Sequence, residues 1–402
     1  MQANVREATV NDAQAVFRFF LSQGKVREEE CMLWLKRWKL LFQLNPWLSG
    51  AARLRQGFVG QARHPIGWVI EGENGAIEGY AGNIILPYVY GGAVYTAGCT
   101  TGVVVEPSYR RYSMSMLKGY FIQTGIDIFI SSTANEVSGA IFDAFKVPKF
   151  PVGNYNTMYY FLINPSNVAY AFLRRRMPFF FARPVATFAG AILAFWFYLR
   201  DMVAFGRSNM VTSINHHTRT GVGVKIVEKS LKDLDETYDA FWEFARNQKD
   251  QLIFLRTREA LRWHFAESGN WGAPSVFCYY EEDRMLGYAI IDKHFEKENG
   301  ILRFRCVDIL TLEDKKEIIK RLIGAAYTRA KKEGADLLVC YFFPASVRKV
   351  IGALAHMRRK RSGGVYMRIL NPKLSSRDVM RKWYATCADG DSAFWSLTAP
   401  RL

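Results

Sequence analysis

The stretch Val103-Val104-Val105-Glu106-Pro107-Ser108-Tyr109-Arg110-Arg111-Tyr112-Ser113-Met114-Ser115 decides how this chain is read. Three β-branched residues end a strand, Pro107 stops it, a basic turn follows, and small residues open a helix over 113–124. A helix start exposes unpaired N–H groups and partial positive charge. Small side chains let a phosphate approach those groups, and Arg110 and Arg111 add charge. The pattern points to a pyrophosphate seat. Its plain alternative is an ordinary strand–turn–helix link with a capping serine.

Working outward, the first part of the chain alternates strands and helices. Val5–Thr9 reads as a strand, Asn11 as a helix cap, and Ala13–Leu21 as a helix with Val16, Phe19 and Phe20 on one face. A second helix covers Glu28–Phe42. Strand-like runs follow at 67–70, 77–86 and 93–105, then the motif, a strand at 127–132, a helix at 136–145 and a strand at 157–163. The second part repeats that order. It has a strand at 222–227, helices at 234–246 and 258–265, and strands at 275–280, 286–295 and 301–310. An amphipathic helix at 315–332 ends at Gly334, and a strand (335–342), a helix (346–356) and a strand (365–369) close the unit. Two units of similar length and element order argue for an internal duplication.

With these residues in view, the chain resembles the GNAT superfamily of acyl-CoA-dependent N-acyltransferases. That family carries an [QR]-x-x-G-x-[GA] core after its fourth strand. Here Arg110 matches the leading position, Ser113 and Ser115 stand where the glycines usually are, and Arg111 falls where a glycine is common. The resemblance implies an α/β (α+β) fold of two tandem GNAT-like domains, each a mixed, mostly antiparallel sheet flanked by helices. The implied division is an acyl-CoA domain at 1–163, a basic and apolar helical linker at 164–220, a degenerate second domain at 221–371 and a tail at 372–402. It also implies acetyl-CoA or another acyl-CoA as co-substrate. The implied contacts are Val103, Val104, Val105, Arg110, Arg111, Tyr112, Ser113, Met114, Ser115 and Asn135.

The second unit lacks the cradle. After Val307-Asp308-Ile309-Leu310 comes Thr311-Leu312-Glu313-Asp314-Lys315-Lys316, and two carboxylates there would repel a pyrophosphate. Acid–base partners are harder to read. Family members often use a Glu on the fourth strand and a Tyr on a following helix. Here the strand offers Cys99, Thr100 and Thr101, and the helix reads Ile141-Phe142-Asp143-Ala144-Phe145. Tyr155, Tyr159 and Tyr160 are the nearby candidates, each with strand packing as its plain reading. Cys99 is a further candidate, set against a role as a small buried hydrophobe. Asp308 is read either as a seat for a cationic acceptor or as a salt-bridged carboxylate.

Composition sets the bounds. The 402 residues carry 54 Lys+Arg against 37 Asp+Glu, a net charge of +17, and half are hydrophobic. That excludes a disordered or low-complexity chain and favours anionic partners. The six cysteines are dispersed, with no CxxC pair, and read as free thiols in a reducing compartment. The histidines do not cluster with them, and His216-His217 is the only histidine pair, so no metal site is expected. No apolar signal segment opens the chain, so the expected location is the cytoplasm, or the inner face of the cell membrane as a peripheral protein. Pro184–Leu199 runs sixteen residues without a charge, flanked by Arg174, Arg175, Arg176, Arg183 and Arg200. It reads as a buried connecting helix, a helix on an anionic membrane surface, or a single span. The expected function is acyl transfer, acetyl in the first instance, to an amine of a small molecule or a cell-envelope or polysaccharide precursor. The other reading is a non-catalytic tandem GNAT-like protein that binds a partner or a membrane. Nucleic-acid binding ranks last, because the basic run Met357–Arg361 has no accompanying motif.

Overall fold

Alternating and continuous apolar runs build two sheets, and the helices between them cover both. The computed structural model describes residues 2–48, 64–150, 154–205, 215–217, 223–248, 250–312, 315–360 and 364–394. Glu313, Asp314, Arg361 and the side chains of His216 and His217 lie outside the described residues.

In chain order the first half contains β1 (Ala3–Glu7), α1 (Ala13–Ser22), α2 (Cys31–Phe42), β2 (Gly67–Gly72), β3 (Ile77–Tyr90) and β4 (Ala93–Val105). A 3-10 turn (Pro107–Tyr112), α3 (Ser113–Ile122), β5 (Ile128–Ala134), α4 (Glu136–Ala144) and β6 (Thr157–Leu162) follow. Two helices connect the halves, α5 (Pro165–Leu173) and α6 (Phe179–Phe205). The second half runs β7 (Asn215–His217), β8 (Gly223–Ser230), α7 (Glu236–Gln248), β9 (Ile253–Phe254), α8 (Arg258–Phe265), β10 (Ser275–Glu281), β11 (Arg284–Glu296) and β12 (Ile301–Thr311). It closes with α9 (Lys316–Lys332), β13 (Leu337–Tyr341), α10 (Ala345–Leu354), β14 (Met357–Lys360), β15 (Gly364–Ile369) and α11 (Ser376–Arg381).

The sheets do not divide where the sequence does. One has the order β1-β2-β3-β4-β5-β15 with β9 also on β3; the other is β14-β6-β13-β12-β11-β10-β8-β7. β6, expected to close the first domain, pairs antiparallel with β13 of the second. β15, expected to close the second, pairs antiparallel with β5 of the first. The exchange is reciprocal, so a boundary at residue 163 cuts through both sheets. Apolar patterning gives Thr157–Leu162 and Gly364–Ile369 equal claims on either edge, and chain proximity alone favoured the wrong one.

One large hydrophobic cluster spans both halves, and a second, smaller one surrounds Tyr120 and Phe129 and takes in Tyr366 of the exchanged β15. Leu255 donates its N–H to Pro87 O (2.9 Å), beside the β9–β3 pairing. The Trp263 indole N–H reaches Leu40 O (3.0 Å) across 223 residues of sequence. In the first half Phe20, Trp34, Trp38 and Tyr80 pack together, with Phe20 and Trp34 ring centroids 5.0 Å apart, and seat α1 and α2 on β3. This aromatic packing holds α1 and α2 on β3, whose antiparallel neighbour β4 leads to the motif. All six cysteines are free thiols, and all but Cys31 are buried.

The expected tail at 372–402 is largely exposed over 372–381, and from Trp383 to Phe394 it becomes a buried segment. Trp383, Tyr384, Thr386, Cys387, Asp389, Asp391 and Phe394 are all buried. It runs from one sheet to the other.

Candidate active site

Two parallel strand pairs have the same geometry, and only one is open. β4 pairs with β5 over Ala97–Cys99 against Ile128–Ile130 and then parts from it. In the second half β12 pairs with β13 over Arg303–Cys306 against Leu337–Cys340 and parts likewise. Each first strand also carries a bulge near the parting, where two of its residues oppose one of the neighbour. In β4 the bulge uses Gly102 at φ +60, a left-handed conformation that favours glycine.

The second gap is filled by the C-terminal segment. Arg256, fully buried, grips Asp308 with both arms of its guanidinium (3.0 and 3.1 Å) and also donates to Thr386 Oγ1 (3.0 Å) and Asp389 Oδ2 (3.4 Å). Tyr288 donates its hydroxyl to Asp308 (2.7 Å) and the Trp383 indole donates to Asp389 Oδ1 (3.0 Å). Tyr384 donates to Ile309 O (2.8 Å), taking a backbone acceptor of β12. Asp308 is therefore the salt-bridged carboxylate of its two readings. The two carboxylates hold the Arg256 guanidinium well above its usual pKa, although burial opposes them. Burial raises the Asp389 carboxyl above the ordinary carboxylate range.

The first gap opens into a cavity of about 690 Å³. That is within the range of small-ligand sites. Val103, Val104 and Val105 line one wall, Ser131, Thr133, Ala134 and Asn135 the opposite one, and Pro107, Arg110, Ser113 and Met114 one end. Phe20, Val26, Glu30, Trp34 and Arg37 come from the α1–α2 region, and Arg305 and Tyr341 from the second half. Arg305 is tied to Asp292, with Nε to Oδ1 at 2.8 Å. Burial pushes the Arg37 guanidinium down to about 10, against the pull of Glu267 and Glu30.

The basic turn differs from its expected form. Pro107 lacks the N–H that a first turn leaves unpaired and has helical φ, so Pro107–Tyr112 winds as a 3-10 helix directly into α3. Helical winding then sorts the motif by face. Arg110, Ser113 and Met114, at i, i+3 and i+4, line the cavity. Arg111, Tyr112 and Ser115 do not: the Arg111 guanidinium lies 4.9 Å from the Tyr112 ring centroid and donates to its hydroxyl (3.1 Å), and Ser115 is exposed. Asn135 lines the cavity but also caps α4, its Oδ1 accepting from Ser138 N at 2.9 Å.

None of the four sequence candidates for acid–base work lines the cavity. Tyr159 and Tyr160 lie on β6, in the other sheet, because of the strand exchange. Tyr159 is buried, and the Tyr160 hydroxyl sits 3.4 Å from Met158 Sδ. Tyr155 lies under Arg348, 4.4 Å from guanidinium to ring centroid; burial pushes its phenol up to about 12. Cys99 is fully buried, and burial together with Asp391 raises its thiol well above the usual value.

The residue that sequence reasoning missed is Asp391. It reaches the cavity wall from the C-terminal segment, accepting hydrogen bonds from Ser132 Oγ (2.8 Å) and Thr133 Oγ1 (2.9 Å), while its N–H donates to Ser132 Oγ (3.1 Å). Gly390 has φ +144, and a Cβ there would collide with Ser132, so the approach requires glycine. Burial raises the Asp391 carboxyl above the ordinary range, against the pull of its hydroxyl donors. The run Asp389-Gly390-Asp391 was a visible signal, but nothing in the sequence placed it 259 residues away on Ser132.

No family model matches the chain, and no curated protein matches it in sequence. Solved structures do. A conserved protein from Enterococcus faecalis, described as a probable N-acyltransferase, is similar over 92% of this chain and 73% of its own, at 9% identity and a TM-score of 0.52. The fold is that of the GNAT N-acyltransferases. A GCN5-related N-acetyltransferase from Anabaena variabilis agrees, over 92% of this chain and 73% of its own, at 11% identity and a TM-score of 0.50. The GNAT fold resemblance drawn from Arg110 to Ser115 is thus borne out. It covers both halves, whose strands are exchanged.

Proposed function

We propose that the chain is an N-acyltransferase that moves the acyl group of an acyl-CoA, acetyl in the first instance, to an amine. The observation that carries this reading is the open gap between β4 and β5, with Arg110 at one end and the Asp391 carboxylate in its wall. The β4 edge beyond Cys99 has no strand partner on the β5 side, which suits an extended, hydrogen-bonding pantetheine arm. The small residues Ser113 and Ser131 and the bulge at Gly102 leave room for it. Arg110 supplies charge for the phosphates.

Chemically, the acceptor nitrogen attacks the thioester carbonyl. The C–N bond forms, the C–S bond breaks, an ammonium acceptor gives up two protons and the thiolate takes one. Asp391 is the residue we assign to the first of those protons. Its raised carboxyl brings its basicity toward that of a group working near neutrality, and Ser132 and Thr133 fix its orientation. The non-catalytic reading rested on a missing base, and Asp391 weighs against it.

The acceptor enters, on this reading, from the α1–α2 side, where Glu30 offers a partner for an ammonium and Arg37 one for an anion. A small molecule or a cell-envelope or polysaccharide precursor with an amine would suit such a mixed wall. The test is a thermal-shift panel of acetyl-CoA and longer acyl-CoAs. Stabilisation that is lost in Arg110→Glu supports the reading; no shift at millimolar ligand refutes it.

A further inference from the structure

The apolar helix α6 was left open by its sequence, and no part of the acyl-transfer site uses it. Among the described residues it is the one helix long and apolar enough to cross a bilayer, and only 22% of its most apolar stretch is buried. One stripe is taken. Ala182, Ala186 and Phe197 are buried, and Gly190 packs so closely on α5 that a Cβ would collide with Ser166. The Phe197 ring stacks on His356 at 4.2 Å, and Asp201 accepts from the Tyr327 hydroxyl and bonds His356 Nε2, both at 2.7 Å. The helix is therefore fastened along its length to α5 and the second half.

The other faces are bare. Phe180, Phe188, Phe195 and Trp196 are each more than 60% exposed. Soluble monomers rarely show so large a contiguous apolar patch without a partner. Cations stand among these rings. Arg183 shares a groove with Phe180 and Phe188, and the Arg176 guanidinium lies 4.2 Å from the ring centroid of Phe172, itself half exposed.

We propose that the α5–α6 hairpin seats the protein on an anionic lipid surface, with α6 lying in the plane of the interface. Aromatic side chains that enter the acyl boundary and arginines that meet phosphate headgroups are the chemistry of such helices. A span is disfavoured because α6 is packed on α5 at Gly190 and on the second half from Phe197 to Asp201, so α5, part of the second half and the buried Asp201 would have to enter hydrocarbon with it. A second copy is disfavoured because it would bring the same arginines, on a chain of net charge +17, against one another.

The test is co-sedimentation of the full chain with vesicles of phosphatidylcholine alone and with about 30% phosphatidylglycerol. Binding should favour the anionic vesicles and weaken with salt. Phe188→Ser/Trp196→Ser should weaken it at least about tenfold without moving the melting temperature, since both side chains are exposed. Arg176→Glu/Arg183→Glu should weaken it by a similar factor or more. No binding to either vesicle, or binding that ignores both double variants, overturns the proposal. So does a dimer in light scattering that Phe188→Ser/Trp196→Ser dissolves while no vesicle binding occurs, because a second copy then covers the face.

Discussion

Replacing Arg256 by Met should release the C-terminal segment and, with it, Asp391. The guanidinium stands between Asp308 and Asp389, both fully buried. Methionine fills much of the volume but leaves two carboxylates without their counter-charge. Breaking a buried pair from one side costs about 3–5 kcal/mol. With an unfolding entropy of about 2 cal/mol/K per residue over 402 residues, that is a fall in melting temperature of about 4–6 °C. The assay is thermal unfolding at neutral pH together with limited proteolysis, read for cleavage between residues 370 and 394. Because the segment also carries Asp391 into the first gap, acyl transfer should fall with its protection. Arg256→Met/Asp308→Leu should recover part of the lost stability, since Asp389 can then take a proton and keep its bonds from Trp383 and Thr386. A melting temperature unchanged within a degree, or a segment still protected in Arg256→Met, refutes the reasoning.

Other expectations follow from the same geometry. Asp391→Asn should lower kcat/KM about 100- to 10,000-fold and flatten the limb that rises with pH as the carboxyl ionises, with acyl-CoA affinity little changed. Arg110→Glu should weaken acyl-CoA binding at least about tenfold in calorimetry, whereas Arg111→Glu, whose side chain faces away from the cavity, should change it less than about threefold. His264 is buried among Phe254, Trp263 and Phe394, and burial pushes it down to about 3. The unfolded chain takes up a proton near pH 6.5 and the folded one does not, so stability present at neutral pH is lost as pH falls through about 6.5 toward 3. By about pH 4.5 that loss is about 3 kcal/mol, and His264→Leu should remove it from the pH dependence of denaturant unfolding.

The motif at 103–115 made the fold legible because a strand end, a proline and a helix start leave local marks. The longer apolar strands of the second half were equally readable, since each run is bounded by polar turns such as Glu281-Glu282-Asp283, but the short β7 and β9 and the basic β14 (Met357–Lys360) carry no apolar pattern long enough to mark them. The exchange of β6 and β15 left no such mark: pairing partners are chosen by long-range packing, which neither strand's pattern records. The basic turn was read correctly in place but not in shape, and only its helical winding separates Arg110 from Arg111. Asp391 was invisible as a site residue because its role depends on a segment that plugs one gap and ends in the other. The plug is also why the β12–β13 gap is closed. Tyr384 and the Arg256 cluster occupy it, whereas the β4–β5 gap opens into the cavity.

That asymmetry is the central claim, and calorimetric titration of the intact chain with an acyl-CoA tests it most directly. One equivalent bound per chain, with binding weakened by Arg110→Glu, is the predicted result. Two equivalents, or none at millimolar ligand, would contradict it.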